Sequence, residues 1–202
     1  NRLFSPVALG AILTMALWAI CYPLITLSLP YAPIMLTAFI RAAMAGCTLI
    51  LIAVLLGRPA PKGIKEYGYI LAIGITATSI GFWGMFYAGS LITPGLATVL
   101  TNTQPLIAGI LGWHLLNERI GKQALLGTLL GFAGIVVISA ESLLAKESQP
   151  LSGVVFVVIA ATGIASSNIL LKKAANSIDI LFAMGFQLLL GSIPLGLRCL
   201  SR

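Results

Sequence analysis

Charge is what this sequence has least of. Only 8% of its 202 residues are charged: twelve basic, five acidic, with a single histidine besides. A soluble domain carries about 25% charged residues, because its surface must face water. With 59% apolar residues, no water-soluble globule could hide the apolar surface of this chain. Acid is the scarcest charge of all. The long apolar stretches contain no Asp or Glu except Asp179, at the start of the last one, and no histidine at metal-ligand spacing. That leaves out the paired acids, nucleophile–base sets and metal clusters on which a membrane-embedded enzyme depends. No enzymatic activity, cofactor or metal is expected. Three cysteines, Cys21, Cys47 and Cys199, are too few and too scattered for a disulfide framework or a metal site. They read as small hydrophobes.

What is there is long apolar segments. A helix needs about 20 predominantly apolar residues to cross a bilayer, and in lipid the backbone must satisfy its own hydrogen bonds. Seven runs meet or approach this length: Val7–Leu29, Pro33–Leu56, Tyr67–Leu91, Pro94–Leu116, Ala124–Ala140, Leu151–Leu171 and Ile178–Leu197. Proline and glycine punctuate the joints at 29–33, 57–63 and 93–95. The runs are continuous rather than alternating, so the fold class is all-α, a polytopic transmembrane helical bundle with seven helices. The first run is too long for a signal-peptide core and reads as a retained span.

Basic residues collect on one side of these spans. With the N-terminus inside, the inner side holds Arg2, Arg58, Lys62, Lys65, Arg119, Lys122, Lys172 and Lys173, while the outer side holds Lys146, Arg198 and Arg202. The positive-inside rule then predicts a cytoplasmic N-terminus. This bias accounts for the net charge of +7 without nucleic acid as a partner. The lipid bilayer is the partner that the composition demands.

A faint internal repeat is visible. Pro33–Gly46 can be laid on Ile178–Gly191, so that Leu36, Ala38 and Gly46 meet Leu181, Ala183 and Gly191. Spans six and seven then repeat spans one and two. The repeat unit is five helices, and an odd number inverts the second unit. Inverted repeats around a midplane site belong to secondary transporters. In this arrangement the sixth span faces the first.

The segments Ala16–Pro23, Ala38–Gly46, Tyr87–Leu100, Gln104–Gly109, Asn117–Gly121 and Gly127–Val136, in that order and spacing, resemble the EamA-type drug/metabolite transporters. These are ten-helix carriers of two inverted five-helix repeats. The resemblance implies a first repeat over residues 1–140 and a partial second repeat over 141–202, apparently truncated after seven of ten helices. It implies a secondary transporter, or permease, moving metabolites, amino acids or drugs across the cell membrane of a bacterium by alternating access. The alternative is a non-transporting fragment, or half of an assembled membrane complex.

The residues expected to contact a small-molecule substrate are Trp18, Tyr22, Arg41, Trp83, Tyr87, Asn102, Gln104 and Asn168. Arg41 lies about eight residues into its span, roughly 12 Å deep at 1.5 Å per residue. Arginine near mid-bilayer costs on the order of 2.5–3.5 kcal/mol on insertion scales, and no acid stands near it in its own or adjoining spans. Its partner is a substrate anion, a helix C-terminus or a residue outside these spans; otherwise it snorkels to the interface. In the fourth span, Asn102 and Gln104 stand beside Thr98, Thr101 and Thr103, just before Pro105, which frees the carbonyl of Thr101. They line a cavity or bond neighbouring helices. The pairs Trp18/Tyr22 and Trp83/Tyr87 each stand four residues apart on one helix face, either lining a cavity or forming an interfacial belt. Asn168 belongs to a polar patch with Thr162, Ser166 and Ser167. Gly127 and Gly131, with Gly134 a turn on, read as close helix packing, with a homodimer contact as one outcome. His114 and Glu118 read as an interfacial helix end.

Overall fold

The computed structural model describes residues 6–117, 121–138, 150–175 and 177–200, and among them every regular element is helical. The elements are α1 (Pro6–Ala19), α2 (Cys21–Ser28), α3 (Ile34–Leu55), α4 (Ile64–Ile73), a π-helical segment (Gly74–Ile80), α5 (Gly81–Leu91), α6 (Pro94–Thr101), α7 (Gln104–Leu116), α8 (Lys122–Ile138), α9 (Leu151–Ala174) and α10 (Ile180–Leu200). Five of the resulting rods are long and apolar enough to cross a membrane: 8–28, 34–55, 64–91, 151–174 and 180–199. They coincide with the first, second, third, sixth and seventh predicted spans.

The fourth span differs from expectation in regularity. It is broken. Thr103 donates its backbone N–H to the Leu100 carbonyl at 3.1 Å, a tightened turn, and α7 restarts at Gln104 with Pro105 in its first turn. The proline that frees a carbonyl thus ends one helix and opens another. The fifth span, α8, is a 17-residue helix. The last span runs on to Leu200, so Arg198 sits in its final turn rather than beyond it.

The third span changes its winding midway, from α to π and back. The wide turns lie against α10. There Thr78 donates to the Gln187 side-chain oxygen at 2.9 Å, and Ser79 donates to the Gly191 carbonyl at 2.8 Å. That carbonyl lies in the turn weakened by Pro194, which has no N–H to offer.

Small residues set the helix contacts. α3 and α10 run antiparallel: a Cβ on Gly196 would touch Phe39, one on Gly46 would touch Leu189, and one on Gly185 would touch Ile50. α5 and α9 are antiparallel too, with Gly84 against the Phe156 carbonyl and Gly153 against Ile92. The π segment meets α10 glycine to glycine, at Gly74 and Gly191. The sixth span therefore packs chiefly on the third and fourth spans, not on the first. In contrast, Gly127, Gly131 and Gly134 would meet nothing within 4 Å if given a Cβ. They make no close packing among the described residues. The close-packing role read for them falls instead to Gly46, Gly74, Gly84, Gly163, Gly185 and Gly191.

One end of the bundle carries an ion pair and two carboxylate caps. Asp179 caps α10, accepting the backbone N–H of Leu181 at 3.0 Å and of Phe182 at 3.4 Å. Arg58 reaches Asp179 at 3.9 Å. Glu66 caps α4 by accepting the Lys62 N–H at 2.7 Å. This is the end expected to face the cytoplasm.

Candidate functional site

The opposite half of the bundle gathers arginine, aromatic rings and hydroxyls around α5. That helix carries two ring pairs at i, i+4 spacing, Phe82/Phe86 and Trp83/Tyr87. Neighbouring positions on a helix point about 100° apart, so the pairs look in different directions.

Arg41 approaches the first pair. Its guanidinium carbon lies 5.0 Å from the Phe82 ring centre and 5.9 Å from that of Phe86. It also donates to the Cys21 sulfur at 2.9 Å. The cation is thus held by π faces and a thiol, both weak partners. The only carboxylates among the described residues are Glu66 and Asp179, which cap helices at the far end. Beside Arg41 is a pocket of about 220 Å³, walled by Leu17, Leu24, Ile25 and Phe86.

Arg198 approaches the second pair, with its guanidinium carbon 5.2 Å from the Trp83 ring. Trp83, Tyr87 and Phe156 form an aromatic cluster. Trp83 meets Phe156 edge-on at 5.1 Å, and Tyr87 stacks on it at 5.3 Å. The Trp83 indole N–H is buried without a hydrogen-bond acceptor among the described residues. Two cavities adjoin this cluster. One, of about 520 Å³, lies between Ser79, Trp83, Pro194 and Arg198. The other, of about 680 Å³, lies between the 29–35 turn, Tyr87 and Arg198.

Tyr22 links the first span to the fourth. It is 3% exposed, and its hydroxyl lies 2.7 Å from Thr101 Oγ1. The neighbouring Asn102 is half-buried and donates its side-chain N–H to the Thr98 carbonyl at 2.7 Å. Gln104 is half-buried at the start of α7.

Of the residues singled out from the sequence, Tyr22, Arg41, Trp83 and Tyr87 therefore converge on α5, in the half of the bundle away from Asp179. Asn102 and Gln104 flank the break in the fourth span, joined to the group through Thr101. Trp18 is 40% exposed on α1. Asn168 is exposed in the C-terminal third of α9. Neither lines the three cavities above. His114 is exposed and lies against Trp113; Glu118 falls outside the described residues.

Sequence reasoning passed over Cys21, Phe82, Phe86, Thr78 and Gln187. Cys21 was indistinguishable from any small hydrophobe. Phe82 and Phe86 had a usable signal, since they repeat the i, i+4 spacing that drew attention to Trp83 and Tyr87.

Comparison with known proteins follows the same lines. The model of the EamA-like transporter family matches residues 5–140. The chain is 29% identical over 178 residues to the uncharacterized transporter YvbV of Bacillus subtilis, covering 88% of this chain and 57% of that protein. It is 29% identical over 167 residues to a chloroplastic WAT1-related protein of Arabidopsis thaliana, covering 81% and 40% respectively. Protein PecM of Dickeya dadantii is 27% identical over 181 residues, covering 87% and 57%. A crystal structure superposes with a TM-score of 0.69 at 18% identity, over 92% of this chain and 67% of that one, a likeness of fold. The chain spans little more than half of the two bacterial relatives and less than half of the plant one.

Proposed function

The chain belongs to the EamA-like transporter family and is a multi-pass membrane protein, and on that premise we propose that it carries small solutes across the cell membrane by alternating access. Its N-terminus lies in the cytoplasm, and solute is bound in the outer half of the bundle around α5.

The observation that carries this reading is the convergence of Arg41, Trp83 and Tyr87 on one helix, next to three cavities. In lipid, polar and charged side chains persist where they line a cavity or meet another helix. Here Tyr22 and Thr101 meet helix to helix, while Arg41 and the Trp83 side chain line cavities. The break at Asn102 supports the reading further, since interrupted helices expose backbone where solute passes. The antiparallel packing of α3 on α10, the segments related by the faint repeat, fits an inverted pair.

The test is solute flux. The complete gene product containing this chain is reconstituted in vesicles, and uptake of amino acids and other small metabolites is compared with empty vesicles. Substitutions Arg41→Ala, Trp83→Ala and Asn102→Ala should each lower flux by about tenfold or more, the scale of one lost polar contact. Flux equal to wild type in all three overturns the site. Absence of flux for every solute favours a non-transporting part of a larger assembly.

A further inference from the structure

The partner of Arg41 is the question that the sequence left open, and the geometry narrows it. A guanidinium has five N–H donors in a fixed fork. Among the described residues, only one of them has an acceptor, the Cys21 sulfur at 2.9 Å; the Phe82 and Phe86 rings satisfy charge but accept no strong hydrogen bond. No carboxylate among the described residues can reach it. Arg41 stands 14 residues before Leu55, the end of its helix, about 21 Å at 1.5 Å per residue, and Asp179 and Glu66 lie beyond that end. An arginine in the membrane region without a counter-ion is costly. Such a cost is tolerated where a ligand supplies the missing charge.

We propose that the pocket beside Arg41 takes the carboxylate of a small organic acid, so that the transported solutes are amphipathic monocarboxylates. This rests on the transport reading above and names its substrate class. The charge of the pocket is single. Ser28 and Thr37 are its other polar side chains, and their hydroxyls already donate to the carbonyls of Ile25 and Pro33. Arg41 is therefore the donor that the pocket offers, and one guanidinium balances one negative charge. A planar carboxylate matches its fork with two parallel bonds. The remaining wall, Leu17, Leu24, Ile25 and Phe86, is apolar and suits a hydrocarbon or aromatic body. At about 220 Å³, the pocket is below the roughly 300 Å³ where drug-sized sites begin, so the acid is small.

The test uses benzoate and its neutral isostere benzamide, with the purified protein in discs of zwitterionic lipid. Benzoate should raise the thermal transition saturably, and benzamide should bind about tenfold more weakly or not at all. In a Cys47→Ser, Cys199→Ser background, benzoate should also slow maleimide labelling of Cys21, which shares the pocket. Arg41→Gln should abolish both effects, and Arg41→Lys should keep part of them; a merely structural arginine would not separate benzoate from benzamide. Equal binding of the two ligands, or benzoate binding that survives Arg41→Gln, overturns the proposal. So does an Arg41-dependent shift produced by anionic lipid alone, to which benzoate adds nothing, since the anion is then a headgroup. Vesicle flux keeps the two readings apart. Transport of neutral solutes that Arg41→Gln leaves intact, without benzoate binding, defeats the substrate class and spares the carrier. Arg41-dependent benzoate binding with no flux of any solute defeats the carrier and leaves only the carboxylate site.

Discussion

Tyr22 donates its hydroxyl proton to Thr101 Oγ1 across 2.7 Å. The direction follows from Thr101, whose single proton is already committed to the Ala97 carbonyl at 2.8 Å. The bond ties the first span to the last turn of α6, next to the break in the fourth span. The two substitutions that remove it are not equivalent. Tyr22→Phe leaves only an unused lone pair on Thr101 and should cost about 0.5–1.5 kcal/mol. Thr101→Val strands a buried donor and should cost more, about 1–3 kcal/mol. Unfolding in detergent, read as a double-mutant cycle, should show the double variant less destabilised than the sum. Additive effects would mean that the bond does not form.

A second prediction concerns glycine. A Cβ at Gly84 would stand 2.5 Å from the Phe156 carbonyl and 3.0 Å from the Ala160 Cβ. Both neighbours sit on a helix that cannot yield locally, so Gly84→Ala should destabilise by about 1–3 kcal/mol. Gly127→Ala and Gly131→Ala meet nothing within 4 Å, and alanine is the better helix former by about 1 kcal/mol. Those variants should be neutral or slightly stabilised in thermal melts. A melt lowered by Gly131→Ala but not by Gly84→Ala would reverse the packing described here.

This contrast shows what a sequence can and cannot tell about such a fold. The spans were legible because each is a run of apolar residues bounded by Gly, Pro or charge, and composition fixes that without neighbours. Which glycine meets which helix was not legible. Gly-x-x-x-Gly at Gly127 and Gly131 carries the same local pattern as a packed face, but among the described residues a Cβ there would meet nothing within 4 Å. The π segment at Gly74–Ile80 has no sequence mark either. Its widened turns are held by Gln187 and Gly191, more than a hundred residues away along the chain. The site divides in the same way. Arg41, Trp83 and Tyr87 stood out because a cation or an indole in an apolar run needs a reason. Cys21, Phe82 and Phe86 did not, because their role depends on what comes near them.

The Asp179 carboxylate performs two tasks of unequal weight. It caps α10 through two backbone N–H groups and meets Arg58 at 3.9 Å, with side-chain exposures of 11% for Asp179 and 54% for Arg58. Caps are worth about 1 kcal/mol, whereas exposed ion pairs add about 0–1. Asp179→Ala should therefore destabilise by about 1 kcal/mol, Asp179→Asn should keep most of the cap, and Arg58→Ala should change little. A larger loss from Arg58→Ala than from Asp179→Ala, measured by chemical denaturation, would show that the ion pair dominates.

The same contact fixes which loops share a side of the membrane. Arg58 follows α3, and Asp179 precedes α10, so their meeting places the 56–63 connection beside the 177–179 turn. The antiparallel contacts Phe39–Gly196 and Ile50–Gly185 require the same arrangement. Lys62, Lys65, Lys172 and Lys173 crowd this end, and the positive-inside rule predicts that it faces the cytoplasm. Tyr31 stands at the other end, 89% exposed. In a background with Cys21, Cys47 and Cys199 replaced by serine, Tyr31→Cys should react with a membrane-impermeant maleimide on intact cells, and Arg58→Cys only after permeabilisation. The reverse pattern would turn the protein over in the membrane. Labelling of both sites in intact cells would contradict the shared geometry itself, because an odd number of crossings separates the two positions.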